Sequence, residues 1–166
     1  ATDMAFARAY YHWFAMLQPA PLAEKMMAAV APQHILAGSG LAARGLKAFD
    51  KRALAEYERC FADPKTIHAT CEDYRASGGI DLEHDRADRR KKLAVPLQVL
   101  WGKRGVVGTQ FDCLASWRAV ASNVTGRALD CGHFIPEEKP AETLAAIRSF
   151  AARHPRALSG GQRQRI

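Results

Sequence analysis

Apolar residues recur at every third or fourth position through residues 3–17, 22–30, 50–61 and 64–76 of this 166-residue chain. That is the spacing of helices with one buried face. The last two helices are predicted to part at Pro64, and the fourth to stop before Gly78 and Gly79, because proline suits a first helical turn and glycine breaks a helix. The stretch from Gly38 to Leu46 holds three glycines and reads as a loop between helices. A charged stretch over residues 81–92 reads as helical, after which the pattern changes. Residues 96–101 and 124–129 read as short apolar strands bounded by turn residues, with helices over 112–122 and 140–153. The order is therefore helices first and an α/β region second, expected as a helical unit over 1–80, an α/β unit over 81–153 and a basic tail over 154–166. Strands alternating with helices in the second unit predict a parallel sheet. No internal repeat is visible.

Charge adds little to that picture. The net charge of +7 is dispersed except in Arg86 to Lys92 and in the tail. The first cluster sits beside Asp85 and Asp88 and reads as a solvated helix face. Without interleaved aromatic residues or a recognition motif, nucleic acid is not an expected partner. A basic surface would instead draw small anions toward the protein. No apolar run approaches the ~18 residues of a membrane span and no signal peptide is visible, so a cytoplasmic protein with no membrane partner is expected. Cys60, Cys71, Cys113 and Cys131 are scattered without metal-ligand spacing and read as reduced packing residues. No metal ligand set is expected.

Three patches carry candidate chemistry. His133 follows Gly132 directly after the second predicted strand, at the carboxyl end of a strand, the edge where α/β sheets gather ligands. It is either a base or a loop histidine with a local hydrogen bond. Near the N-terminus, Tyr10 to Phe14 places five rings in succession; on a helix His12 and Trp13 point about 100° apart, so they can line two walls of one cavity. Such a run equally serves core packing. In the third patch Tyr74 stands among acidic residues, in Cys71-Glu-Asp-Tyr-Arg-Ala76.

Taken in order, the words Tyr11-His-Trp13 with Gln18-Pro-x-Pro21, Asp73-Tyr-Arg-Ala76 with Asp81-Leu-Glu-His-Asp85, and Gly132-His-Phe134 with Pro140-Ala-Glu-Thr143 resemble the C-terminal part of the fluoroacetate (haloacetate) dehalogenases of the α/β-hydrolase superfamily. The resemblance runs over roughly residues 2–152. It implies a partial α/β-hydrolase fold: a helical cap followed by the last two strands and flanking helices of the core. It also implies an enzyme in which an aspartate displaces halide from a 2-haloacid and a histidine activates water to hydrolyse the resulting ester. His133 matches that histidine. His12, Trp13 and Tyr74 match the residues that hold the departing halide, with an imidazole N–H, an indole N–H and a phenol as donors. The implied partners are a small haloacid and halide, with no cofactor; a homodimer is left open.

The chain also departs from the family. The family's nucleophile and the arginines that grip the carboxylate form an Asp-Arg-x-x-Arg word after a strand; the string occurs here only at Asp85 to Arg89, inside the charged stretch read as a solvated helix face, and so does not match that site. Nucleophile and orienting acid are expected upstream of Ala1, so the chain by itself is expected to be inactive. Leu97 to Gly102 runs into Lys103-Arg-Gly-Val-Val-Gly108, where many other α/β hydrolases place their acid; Asp112 and Asp130 are the spare candidates. No tryptophan lies between Trp13 and Trp101, although the family often has one in its cap. Cys131 is a further pocket thiol to consider. Alternatives to the dehalogenase are an epoxide or ester hydrolase of the same superfamily, and a non-catalytic fragment. Leu158-Ser-Gly-Gly-Gln-Arg-Gln-Arg165 resembles the signature word of ABC-transporter ATPases, but with no G-x-x-x-x-G-K-[ST] loop in the chain it is expected to be a foreign or chance tail. Two strands without parallel neighbours would leave open edges and apolar surface, so broad, weakly cooperative melting is expected.

Overall fold

A computed structural model describes residues 3–30 and 45–155. The chain divides into two units, residues 1–90 and 91–166.

The first unit is helical. Asp3 caps α1 (Met4–Ala9) by accepting the Phe6 N–H at 2.8 Å. Where one helix was expected over 3–17 there are two, because Tyr10 leaves the helical region at φ −111°, ψ 23° before α2 (Tyr11–Met16) begins. The Tyr10 ring packs on Phe6, with centroids 4.9 Å apart, and stands edge-on to Trp13 at 6.1 Å. After the Pro19–Pro21 turn comes α3 (Leu22–Ala29). A short 3-10 turn covers Gly45–Ala48; the rest of the glycine-rich loop lies outside the described residues.

Asp50 caps α4 (Lys51–Phe61), accepting from Arg52 and Ala53. Asp63 caps α5 (Pro64–Gly78), whose proline sits in the first turn where its missing N–H costs nothing. The core of the unit joins Met16, Ala23, Met27, Ile67 and Cys71, with Phe61 and Tyr74 against it. Packing of α2, α3 and α5 through these residues fixes where Tyr74 stands relative to α2. After Gly79 the chain continues as α6 (Ile80–Asp88). That charged helix was expected in the α/β unit; it belongs with the first, and the division falls at Arg90–Lys91.

The second unit is a βαβ arrangement. β1 (Leu97–Gly102) and β2 (Val124–Leu129) are parallel, in register from Leu97 opposite Val124 to Gly102 opposite Leu129. Two helices make the crossover, α7 (Val106–Gln110) and α8 (Cys113–Val120), where a single one was expected over 112–122. Asp112 starts α8 by accepting the Ala115 N–H at 2.9 Å. β2 is followed by a short α9 (Ile135–Glu138) and by α10 (Pro140–Arg153). Val99, Cys113, Leu129, Cys131 and Ala146 form the buried positions around the strand pair. In chain order the architecture is a helical unit followed by two parallel strands with their flanking helices. Among the described residues no helix is long and apolar enough to cross a membrane.

Candidate active site

In the first unit, α2 and α5 bring three predicted residues together. The Tyr74 ring stands edge-on to both partners: its centroid is 6.2 Å from His12 at an interplanar angle of 77°, and 5.2 Å from Trp13 at 76°. The two walls foreseen on α2 are thus joined by a ring from a helix some sixty residues away. Tyr74 is half-buried, and burial, followed by the charge of Asp73 and by Tyr10, pushes its phenol above the ordinary value. It therefore stays a protonated donor at neutral pH. Trp13 keeps 38% of its surface exposed, so the cluster is open to a small ligand. On its other side His12 lines an apolar cavity of about 300 Å³ with Tyr11, Met16, Met26, Met27 and Val30.

Arg75, the residue after Tyr74, is a hub that the sequence reading did not single out. Its Nη1 donates to the Gln18 carbonyl at 2.9 Å, and its Nη2 to Glu24 Oε1 at 2.6 Å and Glu72 Oε1 at 2.7 Å. Helix α5 is thereby tied to α3 and to the turn that follows His12 and Trp13. His68 Nδ1 lies 3.0 Å from the same Glu24 oxygen. The Arg75 hydrogen bond, then a backbone bond and His68, hold the Glu24 carboxyl down at about 2. Glu24, His68 and Glu72 place potential ligand atoms within 4.8 Å of one another. The cation that serves them is the Arg75 guanidinium, so the group reads as an ion-pair network rather than a metal site.

In the second unit, the loop after β2 carries His133. The turn after β1 continues the ladder along it: Lys103 N–H donates to the Leu129 carbonyl at 2.8 Å and Arg104 N–H to the Cys131 carbonyl at 2.9 Å. Gly102 allows this approach, because a Cβ there would lie 1.5 Å from the Gly132 carbonyl oxygen. On the other side, Glu138 Oε2 accepts the Gly132 N–H at 2.9 Å and Oε1 the Phe134 N–H at 3.3 Å. Thr143, itself buried, donates its hydroxyl to the Ile135 carbonyl at 3.0 Å. The His133 ring meets Phe134 edge-on at 5.0 Å. His133 is exposed to solvent on one side, yet the loop packed around it lowers the imidazole pKa, with Glu138 and then Glu137 pulling the other way. A neutral imidazole with an open face can take a proton from water.

The spare acids are otherwise employed. Asp130 pairs with Arg104, whose Nη2 also donates to the Asp130 carbonyl at 3.0 Å; Asp112 caps α8. Cys131 is only 1% exposed, and burial pushes its thiol up, the reverse of what a nucleophile needs. The Leu158–Arg165 word lies outside the described residues.

No family model matches the chain. It is 36% identical over 150 residues to a fluoroacetate dehalogenase from Burkholderia sp., covering 89% of this chain and 49% of that protein. Among solved structures, a candidate α/β hydrolase from Nostoc sp. PCC 7120 superposes with a TM-score of 0.82 at 49% identity, over 90% of this chain and 52% of that one. The fold is that of the α/β hydrolases. An α/β-hydrolase relative of different specificity, a soluble epoxide hydrolase from Corynebacterium sp. (strain C12), is 36% identical over 105 residues, 62% of this chain and 35% of that protein. The chain thus spans about half the length of the dehalogenase it matches. His133 lies on the loop after β2, the second strand of the pair.

Proposed function

We propose that this chain supplies the cap and the base-bearing end of a hydrolase that releases halide from a 2-haloacid such as fluoroacetate or chloroacetate. The observation that carries the reading is the junction of His12, Trp13 and Tyr74 through the Tyr74 ring, because it gathers three side chains that carry N–H and O–H donors. A halide leaving carbon gathers negative charge only as the bond breaks, so donors held there favour the transition state over the substrate. In the reaction, an aspartate carboxylate attacks the halogen-bearing carbon, the carbon–halogen bond breaks and halide departs. His133 then takes a proton from water, and the hydroxide formed attacks the ester carbonyl; collapse of the adduct breaks the ester bond, frees the hydroxy acid and regenerates the aspartate, and the proton on His133 passes to solvent. The one Asp-Arg-x-x-Arg string of the 166 residues, Asp85 to Arg89, lies exposed along and just past α6 rather than on a turn after a strand, so the nucleophile is assigned to the whole enzyme.

The similarity to an epoxide hydrolase favours one second reading, in which the same donors hold an epoxide oxygen as the ring opens. Ion chromatography of the protein that carries this chain, incubated with fluoroacetate, chloroacetate or an epoxide, separates the two. Halide release supports the dehalogenase; diol without halide supports the epoxide hydrolase; neither product overturns both.

A further inference from the structure

We infer that Glu138 is a positioning residue for His133, fixing the backbone on both sides of the imidazole. Its two carboxylate oxygens are divided between the amides that flank the histidine, Gly132 at 2.9 Å and Phe134 at 3.3 Å. A carboxylate that receives two backbone N–H groups straddling one residue restrains that residue from before and after. A single bond would leave one side free to rotate. The carboxylate is itself held, because Glu138 lies in α9, whose first residue presents its carbonyl to the Thr143 hydroxyl on α10 at 3.0 Å. The opposite wall is the turn after β1, through the Arg104 N–H on the Cys131 carbonyl. Loop, α9 and α10 are thus joined by hydrogen bonds beside His133, with Glu138 as the charged member. Charge-assisted bonds of this kind are stronger than neutral ones.

The functional consequence rests on His133 being the base; the tether itself does not. Glu138 and Glu137 raise the imidazole pKa against the effect of burial. Of the other charges beside the loop, Arg104 is paired with Asp130 and Lys139 with Glu142. Glu138→Gln keeps the shape of the side chain but removes its charge and turns one acceptor into a donor facing an N–H. Glu138→Asp keeps the charge and loses reach. Glu137→Gln removes a neighbouring charge while leaving both Glu138 oxygens in place.

The test is NMR on the chain itself, following imidazole titration at His133 and amide exchange at Gly132 and Phe134, so it gives a result whether or not the whole enzyme turns over haloacids. Glu138→Gln is expected to lower the His133 midpoint and to speed exchange at the two flanking amides about tenfold. Glu138→Asp is expected to speed exchange with a smaller change in midpoint, and Glu137→Gln to move the midpoint alone. Unchanged exchange at Gly132 and Phe134 in both Glu138 variants overturns the inference. So does exchange accelerated equally along the β1–β2 ladder, which marks general loosening. In the active enzyme, Glu138→Gln is then expected to lower kcat more than it raises KM and to move the acid limb of the kcat profile to lower pH.

Discussion

A histidine works as a base only in its neutral form, and the loop around His133 favours that form by burying the ring part-way. Turnover in the whole enzyme is therefore expected to rise with pH through the His133 titration, below the ordinary value of 6.5. His133→Ala is expected to lower turnover by about 10²–10⁴-fold and to leave an aspartyl ester detectable by mass spectrometry; undiminished hydrolysis would remove His133 from the mechanism. The same downward shift has a sign in stability. A folded-state pKa below the unfolded one means the unfolded chain binds the proton more readily, so the contribution of His133 is present above about 6.5 and lost as pH falls through its folded value. Glu24 acts in the same sense lower down, its contribution present above 4.5 and lost as pH falls toward about 2. Glu24→Gln is expected to flatten the acid limb of a pH–melting curve in that range. His12, Trp13, Tyr74 and His133 stand out in the sequence only through the ordered words that resemble the dehalogenases, and the structure brings the first three together. No role was legible there for Arg75 or Glu138. Each lies among other charged residues, as a solvated helix face would, and only the distances to Gln18, Glu24, Gly132 and Phe134 distinguish them.

At the scale of elements, periodicity and punctuation located the helices from Leu22, Lys51, Pro64 and Pro140 to within two residues at their starts and the strands to within one. The misses have local causes. Tyr10 divides the first helix while its ring lies on Phe6 and Trp13, an aromatic preference invisible to a hydrophobic period. α7 and α9 are too short, at five and four residues, to show a period at all. Helix α5 carries the heaviest duty in the first unit, since it brings Tyr74 to α2 and anchors the core through Ile67, 6% exposed, and Cys71, fully buried. Ile67→Ala is expected to cost about 2–4 kcal/mol, measured by denaturant unfolding. Arg75→Met tests the tie between α5 and α3 separately. It is expected to weaken halide binding, read from the Trp13 indole signal, with the helical content preserved; unaltered binding would make Arg75 a surface ion pair only.

At the scale of the molecule, the order of helical unit and α/β unit was legible because the hydrophobic period changes once, near residue 95. The division was not, since α6 is exposed throughout and its affiliation depends on continuity with α5 across Gly79 rather than on a buried face of its own. In the second unit Leu93, Val95, Phe111, Trp117, Val120, Leu144 and Ile147 are exposed, an amount of apolar surface that small stable domains seldom leave in water. The 166-residue chain is accordingly expected to melt broadly and to bind a hydrophobic dye in its native state; a sharp two-state transition without dye binding would argue against that.

The near-contact between Gly102 and the Gly132 carbonyl has a consequence for how this protein can vary. Where the backbones of two loops meet this closely, no side chain can be accommodated by a rotamer change, so neighbouring positions differ sharply in tolerance. In a saturation library scored for folding, position 102 should accept almost nothing but glycine, while Lys103 beside it, exposed, drifts freely. A lineage recruiting this scaffold to new chemistry would have to place any new acid one step beyond the strand, because the strand's own last residue is already committed to making room.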